Sequence, residues 1–507
     1  MRKLIHIAEP RLRFAYSQPM EDPRDGLMLF GPFAKGNVYG IRAGVVGTPE
    51  GIRRFKLWVK KIQSPILCAR TLAESLYTPA YPGSHTVFQI PWHPEPVIEA
   101  SIEPDKLREV VLLAERQQRV FQTVDLYATK ILESRHEDES EVDLWFVVVP
   151  DEVYRYCRPK SNVEPSLRRT DESLMRRNEA KEWVSERSLF EEMNTAVEPF
   201  QFEPDFHNQL KAKLLLEQIP TQVVQESTLT PEEFVSEAGY PLRRLDKPST
   251  IAWNLTTAAF YKASGRPWKL DRVRKGVCYL GLVFKRDDRT GDERNACCAA
   301  QMFLDSGDGV VFKGAVGPWY SGRGDFHLTR DAAKQVVQIA IDSFKRQNGS
   351  NHPPSELFIH GRTRFNDEEW QGFEDAADRN TRVVGVRIRQ SKELKLYSPG
   401  EYPIMRGSAF VQDAKAAYLW TVGYTPRLQT YVGKEVPNPL YIEISRGSAS
   451  VVRVCADVLA LTKLNYNACL YGDGEPVTLK FADAVGEILT AGPFKKDTPP
   501  LPFKYYI

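Results

Sequence analysis

The chain has 507 residues, too many for one ordinary hydrophobic core and suited to two or three domains. Its 42% hydrophobic and 26% charged content is that of a globular protein, and a net charge of +2 is too mild to declare a polyanion partner by itself. The longest apolar runs cannot span a bilayer and the N-terminus has no apolar signal core, so the sequence reads as cytoplasmic, with no membrane partner.

Residues 26–66 read as strand, turn, strand and a basic amphipathic helix, and residues 105–135 as helical. After the acidic break at 137–141, Leu144-Trp145-Phe146-Val147-Val148-Val149 has the unbroken apolar pattern of a central parallel strand buried on both faces. Residues 158–200 are strongly charged and read as an insertion. A helix over 206–218, a short strand over 219–225 and a helix over 251–263 complete an α/β unit, with its binding crevice expected at the carboxyl ends of the strands. A second α/β unit opens with three successive strands, 278–285, 296–304 and 310–314. It continues with a helix over 331–345, capped by Thr329, and strands over 356–360, 382–388 and 439–444. Helices over 450–462 and 479–489 end it. Three opening strands followed by alternating elements match an RNase H-like layout.

Seven cysteines lack a C-x-x-C pair, and Cys297 and Cys298 are adjacent, which fits reduced thiols and argues against zinc. Two stretches are locally basic. Arg266, Lys269, Arg272, Arg274 and Lys275 stand against Asp271; Arg382, Arg387, Arg389, Lys392 and Lys395 stand against Glu393. Of these, Arg266, Lys269, Arg387 and Arg389 are candidate contacts to a nucleic-acid backbone, with solvated basic faces as the plain alternative.

His207 and Lys211 lie one helical turn apart and share a face. Gln222 follows Pro220-Thr221, and Lys262 closes the next helix ahead of Gly265-Arg266-Pro267-Trp268. A terminal phosphate needs donors converging from separate segments, and these side chains supply them. Their order and surroundings resemble the MID domain of Argonaute proteins: Phe206 to Leu215, then Ile219 to Val224, then a K-x-x-G-x-P-W boundary at 262–268 that leads into PIWI. The resemblance assigns His207, Lys211, Gln222 and Lys262 to the 5′-phosphate of a guide. Tyr154 and Arg158 form a rival aromatic-basic pair, but they lie much too far from Gln222. The aromatic end of the chain, Phe503-Lys504-Tyr505-Tyr506-Ile507, is expected to dock. By resemblance the Ile507 terminal carboxylate joins a divalent ion, Mg²⁺, beside the guide phosphates; the alternative is a tail that merely packs.

RNase H-type cleavage needs clustered carboxylates on two metal ions. The resemblance puts the first acid after a Gly-containing strand, where this chain has Leu280-Gly281-Leu282-Val283, so Val283 replaces it. The next belongs where Ile359-His360-Gly361-Arg362 places Arg362, whose guanidinium would repel a metal. Asp483 matches the last position. One surviving acid implies no catalytic residues and a PIWI domain that does not cut. Asp287, Asp288, Asp292 and Glu293 form a charged turn that reads as a solvated hairpin rather than a substitute cluster.

The expected architecture is therefore a Rossmann-like MID domain followed by an RNase H-like PIWI domain. MID spans 1–266, with a leader over 1–140 and an insertion over 158–200; PIWI spans 267–507. The leader is short for N and PAZ domains, and its Asp22 to Phe33 stretch resembles the start of short prokaryotic Argonautes, most closely the Argonaute subunit of SPARTA systems. That resemblance implies a guide RNA with a 5′-phosphate, a complementary single-stranded DNA target and a separate TIR-APAZ protein. The heterodimers would oligomerise on target binding, and the partner would hydrolyse NAD⁺ in defence against plasmids and phages. A self-sufficient nuclease, or an APAZ partner carrying a sirtuin-type or nuclease effector, are the alternatives.

Overall fold

The computed structural model describes residues 2–507 apart from 68–70, 172–173, 181–182, 184–189, 273, 287–295, 305–308, 317–318, 321–325, 348–351, 378, 432 and 494–499. The chain opens with a short strand, β1 (Lys3–His6), that serves a distant sheet. The first domain is then built on β2 (Ala43–Gly47), β3 (Ile98–Ser101), β4 (Leu144–Val149) and β5 (Thr221–Gln225). All pairings are parallel, in the order β3-β2-β4-β5. β4 is buried at all six positions. Leu144, Phe146 and Val148 enter one core with Phe55, while Trp145, Val147 and Val149 enter another with Val120, Tyr127 and Leu210. That two-sided burial is what an uninterrupted apolar strand requires, and it makes this a doubly wound layer.

Helices α1 (Pro49–Lys61), α2 (Arg116–Glu137), α3 (Phe206–Leu215) and α4 (Pro248–Lys262) cover the sheet. Local sequence sets their starts. Thr48 accepts a hydrogen bond from the Gly51 amide ahead of α1, with Pro49 in the first turn. Asp205 accepts from the Asn208 amide ahead of α3.

The second domain runs β6 (Val277–Arg286), β7 (Ala296–Leu304), β8 (Gly309–Val316), α5 (Arg330–Gln347), β9 (Glu356–Gly361), α6 (Asp367–Ala376), β10 (Arg382–Gln390), β11 (Ser408–Val411), β12 (Ala416–Leu419), β13 (Leu440–Arg446), α7 (Val451–Leu461), α8 (Ala482–Thr490) and β14 (Leu501–Pro502). One sheet holds β1-β11-β12-β13-β10-β9-β6-β7-β8-β14. β9 is parallel to both β6 and β10, and β6 to β8 form an antiparallel meander, the RNase H-like arrangement. Thr329 caps α5, its hydroxyl accepting from the Ala332 amide at 3.4 Å.

Several elements differ from the sequence reading. Pro23–Phe30 is a helix, not a strand; Asp22 accepts from the Arg24 amide and Pro23 occupies the first turn. α6 was unforeseen although Asn366 and Glu369 form a complete capping box. β1, β11 and β12 were also unforeseen, and the final helix is split between Val477–Lys480 and α8. Residues 3–6, inside the segment read as the first domain, pair with 408–411 of the second sheet, and Leu12–Arg13 pair with Lys269–Leu270. Among the described residues, Cys157, Cys278, Cys455 and Cys469 are buried and outside any disulfide, and no helix is long and apolar enough to cross a membrane.

Candidate functional site

The predicted phosphate ligands converge. Lys211 projects from the buried side of α3 and Lys262 from the last turn of α4, each almost fully buried. Their ammonium groups meet at one acceptor, the Thr221 carbonyl at the start of β5, at 3.3 Å and 3.1 Å. Lys262 also donates to Gln222 Oε1 at 2.7 Å, and Lys211 to the main-chain oxygen of Ile507 at 2.6 Å. Burial lowers the Lys211 pKa to about 7. Burial, and then the charge of Lys211, hold Lys262 well below its ordinary value. His207 stands at the solvent-reached rim of the cluster, its Nδ1 3.2 Å from Asn208 Oδ1. Crowding by the protein, then the Lys211 charge, lower its pKa to about 4, so the ring is neutral at pH 7.

This pocket lies at the amino-terminal end of β5, not at the carboxyl-end crevice expected of a doubly wound sheet. The reason is that its ligands come from the helix before β5, the helix after it and the chain's last residue. The sequence reading missed the Thr221 carbonyl, since a backbone acceptor carries no residue signature.

The last residues dock as expected. Leu501–Pro502 adds a strand to β8. Phe503 packs against Phe303 and Phe481, with ring centroids 5.6 Å and 5.3 Å apart. Lys504 donates to Ser264 Oγ at 2.8 Å, just past the end of α4, and Ile507 is buried beside Lys211.

In the second domain Val283 is buried in the core on β6. A Cβ at Gly281 would run into the Thr478 carbonyl, so glycine lets the segment leading to Asp483 close down on β6. Arg362, just past the end of β9, reaches Asp483 at 3.1 Å and Glu475 at 3.5 Å. A guanidinium thus sits between two carboxylates, and the positions brought together carry a valine, an arginine and one acid. Arg387 donates to the Arg362 carbonyl at 3.3 Å and reaches Glu443 at 3.5 Å, which also binds Arg364 at 2.6 Å. Asp287, Asp288, Asp292 and Glu293 lie outside the described residues.

The two basic stretches differ. In the first, Arg274 is bound to Asp457 and Glu356, Lys269 lies 4.4 Å over the Phe33 ring, and Arg266 pairs through its backbone with Ala34. Lys269 and the Arg266 backbone thus tie this stretch to the leader, while Arg274 is held within the second domain. In the second, Arg387 and Arg389 alternate with buried Val386 and Ile388, so they share the outer face of β10.

No family model and no curated protein matches the chain. Solved structures do. The Clostridium butyricum Argonaute bound to a guide DNA and a 19-mer target DNA gives a TM-score of 0.62 at 15% identity, over 97% of this chain and 53% of that one. The Aquifex aeolicus Argonaute gives 0.54 at 14%, over 100% and 57%. A further Aquifex structure, with externally bound siRNA, gives 0.54 at 14%, over 99% and 56%. This chain therefore spans about half the length of the structures it matches, and the likeness gives it their fold: a Rossmann-like domain followed by an RNase H-like domain.

Proposed function

We propose that this chain is a guided nucleic-acid sensor of the short Argonaute kind. It holds the 5′-phosphate of a guide RNA at Lys211, Lys262, Gln222 and His207, and pairs complementary single-stranded DNA along the second domain without cutting it. One observation carries the reading: two buried lysine side chains share one neutral carbonyl, and the single carboxylate on them, that of Ile507, meets Lys211 alone. Burying unpaired charge is costly, and an entering phosphate would offset that cost with charge-assisted hydrogen bonds. A divalent ion fits there once guide phosphates add hard oxygens to the Ile507 carboxylate. The chain's own share is to hold that carboxylate against Lys211.

Arg362 paired with Asp483, and Val283 in the core, favour retention of the strand over cleavage. The effector reading rests on the resemblance to SPARTA subunits. A TIR-APAZ partner would hydrolyse NAD⁺ when guide and target pair on this chain.

The test compares affinity for a short RNA carrying a 5′-phosphate or a 5′-hydroxyl, using the chain co-purified with its operon neighbour. Lys211→Ala with Lys262→Ala should remove the preference. At about 1.5–3 kcal/mol per charge-assisted bond the loss is on the order of 10²-fold or more. Equal affinity of the wild type for both RNAs would refute the pocket assignment.

A further inference from the structure

One end of the ten-stranded sheet has a covered face and an open face. On β11, β12, β13 and β10 the residues Ala409, Val411, Ala417, Leu419, Ile442, Ile444 and Ile388 are buried with Val454, Val458 and Leu459 of α7. Of the alternate residues, which point the other way, Phe410, Tyr418, Tyr441, Glu443, Arg387 and Arg389 are only half-buried. Register places four of these side by side across the strands, with the exposed Leu4 of β1 at the end of the row. Leu4 stands opposite Phe410, Phe410 opposite Tyr418, Tyr418 opposite Tyr441, and Tyr441 opposite Arg389. Directly opposed residues on one face are close neighbours, and the ring centroids are 6.5 Å and 5.1 Å apart along the row. Arg389 lies 5.3 Å over the Tyr441 ring, and its Nε has no hydrogen-bond partner. At the Arg389 end, Arg387 connects the row to the Arg362–Asp483 ion pair.

We propose that this face is a stacking platform for single-stranded nucleic acid. Three rings in a line on an open sheet offer faces to successive bases without reading sequence, and flanking guanidiniums serve the phosphates. Arg387 and Arg389 supply those cations at one end, and Arg2, two residues before Leu4, supplies one at the other. A protein partner would gain little from the balanced charge around Glu443, whereas phosphates can take over the arginines that now bind it. The row adjoins the Arg362–Asp483 ion pair, so the occupant is the unpaired stretch of a strand leaving that position. The choice of strand rests on the guided-sensor reading; the platform itself does not.

The test uses the full chain and a 12-mer of deoxythymidine with a 5′-hydroxyl and iododeoxyuridine substitutions. This probe bypasses the phosphate pocket and guide pairing, so its failure leaves the pocket reading intact. Photo-cross-linking should map to Phe410, Tyr418 or Tyr441. Tyr418→Leu with Tyr441→Leu should weaken binding by about 5- to 100-fold. Tyr418→Trp with Tyr441→Trp should restore it, which excludes a folding defect. Cross-links elsewhere with unchanged affinity of the leucine variant would overturn the proposal. So would burial of the three rings by a co-purified protein without any cross-link to the probe.

Discussion

Burial separates the residues of the two candidate centres. Lys211 and Lys262 are amines taken out of water, where burial disfavours their charged forms, and their partners are the Thr221 carbonyl, Gln222 Oε1 and the Ile507 main-chain oxygen. A fold has no packing reason to place two of them on one carbonyl. Arg362 and Asp483, by contrast, are each about half exposed, and such a pair contributes at most about 1 kcal/mol. On the proposed reading the first arrangement awaits a ligand, while the second stands at little cost where a metal centre would be. His360 offers a residue-scale check on the second domain. It is fully buried on β9, its Nδ1 3.0 Å from Thr478 Oγ1 and its Nε2 without a partner. Burial lowers its pKa from 6.5 to about 3. Below pH 6.5 the unfolded chain therefore binds a proton that the folded chain refuses, and stability falls as pH drops from about 6.5 toward 3. Between pH 8 and pH 5 that loss is about 2 kcal/mol. Denaturant titrations at the two pH values should show it, and His360→Asn should reduce the difference by that amount. A variant with the wild-type pH dependence would remove His360 from the account.

At the scale of elements, the last residues join the two domains. They form an edge strand on β8, anchor through Phe503 and end on Lys211. Phe503→Ala removes the anchor without touching the pocket. Affinity for the 5′-phosphate RNA should fall several-fold, with 5′-hydroxyl binding unchanged, and protease should cut the C-terminal segment faster. Unchanged phosphate affinity would mean that the tail only packs. Which elements could be foreseen follows from the range of their causes. β4 was legible because burial on both faces leaves an unbroken apolar run. His207, Lys211, Gln222 and Lys262 were legible because the spacing within each helix and the order of segments survive in one dimension. β1 was not, because Lys3–His6 is mostly exposed and finds its partner only at Ser408–Val411, far along the chain. The helix at Pro23–Phe30 was misread through its apolar Leu27 to Phe30 run, although Asp22-Pro23 announced a helix start. The aromatic row needed register, since Phe410, Tyr418 and Tyr441 come from three strands, and only pairing aligns them.

For the whole molecule, the proposed reading has the lysine cluster of one domain and the exposed arginines of the other serve one ligand. The cluster would select a chemical end, and the arginines would hold a backbone. Base pairing would then supply the sequence choice, since phosphate contacts position a strand but do not read it. Complementary DNA should therefore bind the guide-loaded chain far more tightly than a scrambled strand, and the affinity should fall steeply with salt as phosphate contacts release counterions. The same complex should leave the DNA intact in Mg²⁺ or Mn²⁺. Cleavage by the two-ion route needs carboxylates around both metals, and on the proposed reading Val283 and Arg362 take two of the places where they would stand. End-labelled DNA incubated with the loaded chain checks this directly. A metal-dependent product at one fixed position along the paired region would sink the sensor reading, and would send the search for the missing acids to Asp287, Asp288, Asp292 and Glu293. Intact DNA with tight, guide-dependent retention would leave the signal to be read out by a partner, because a chain that binds without cutting can act only by changing what binds it.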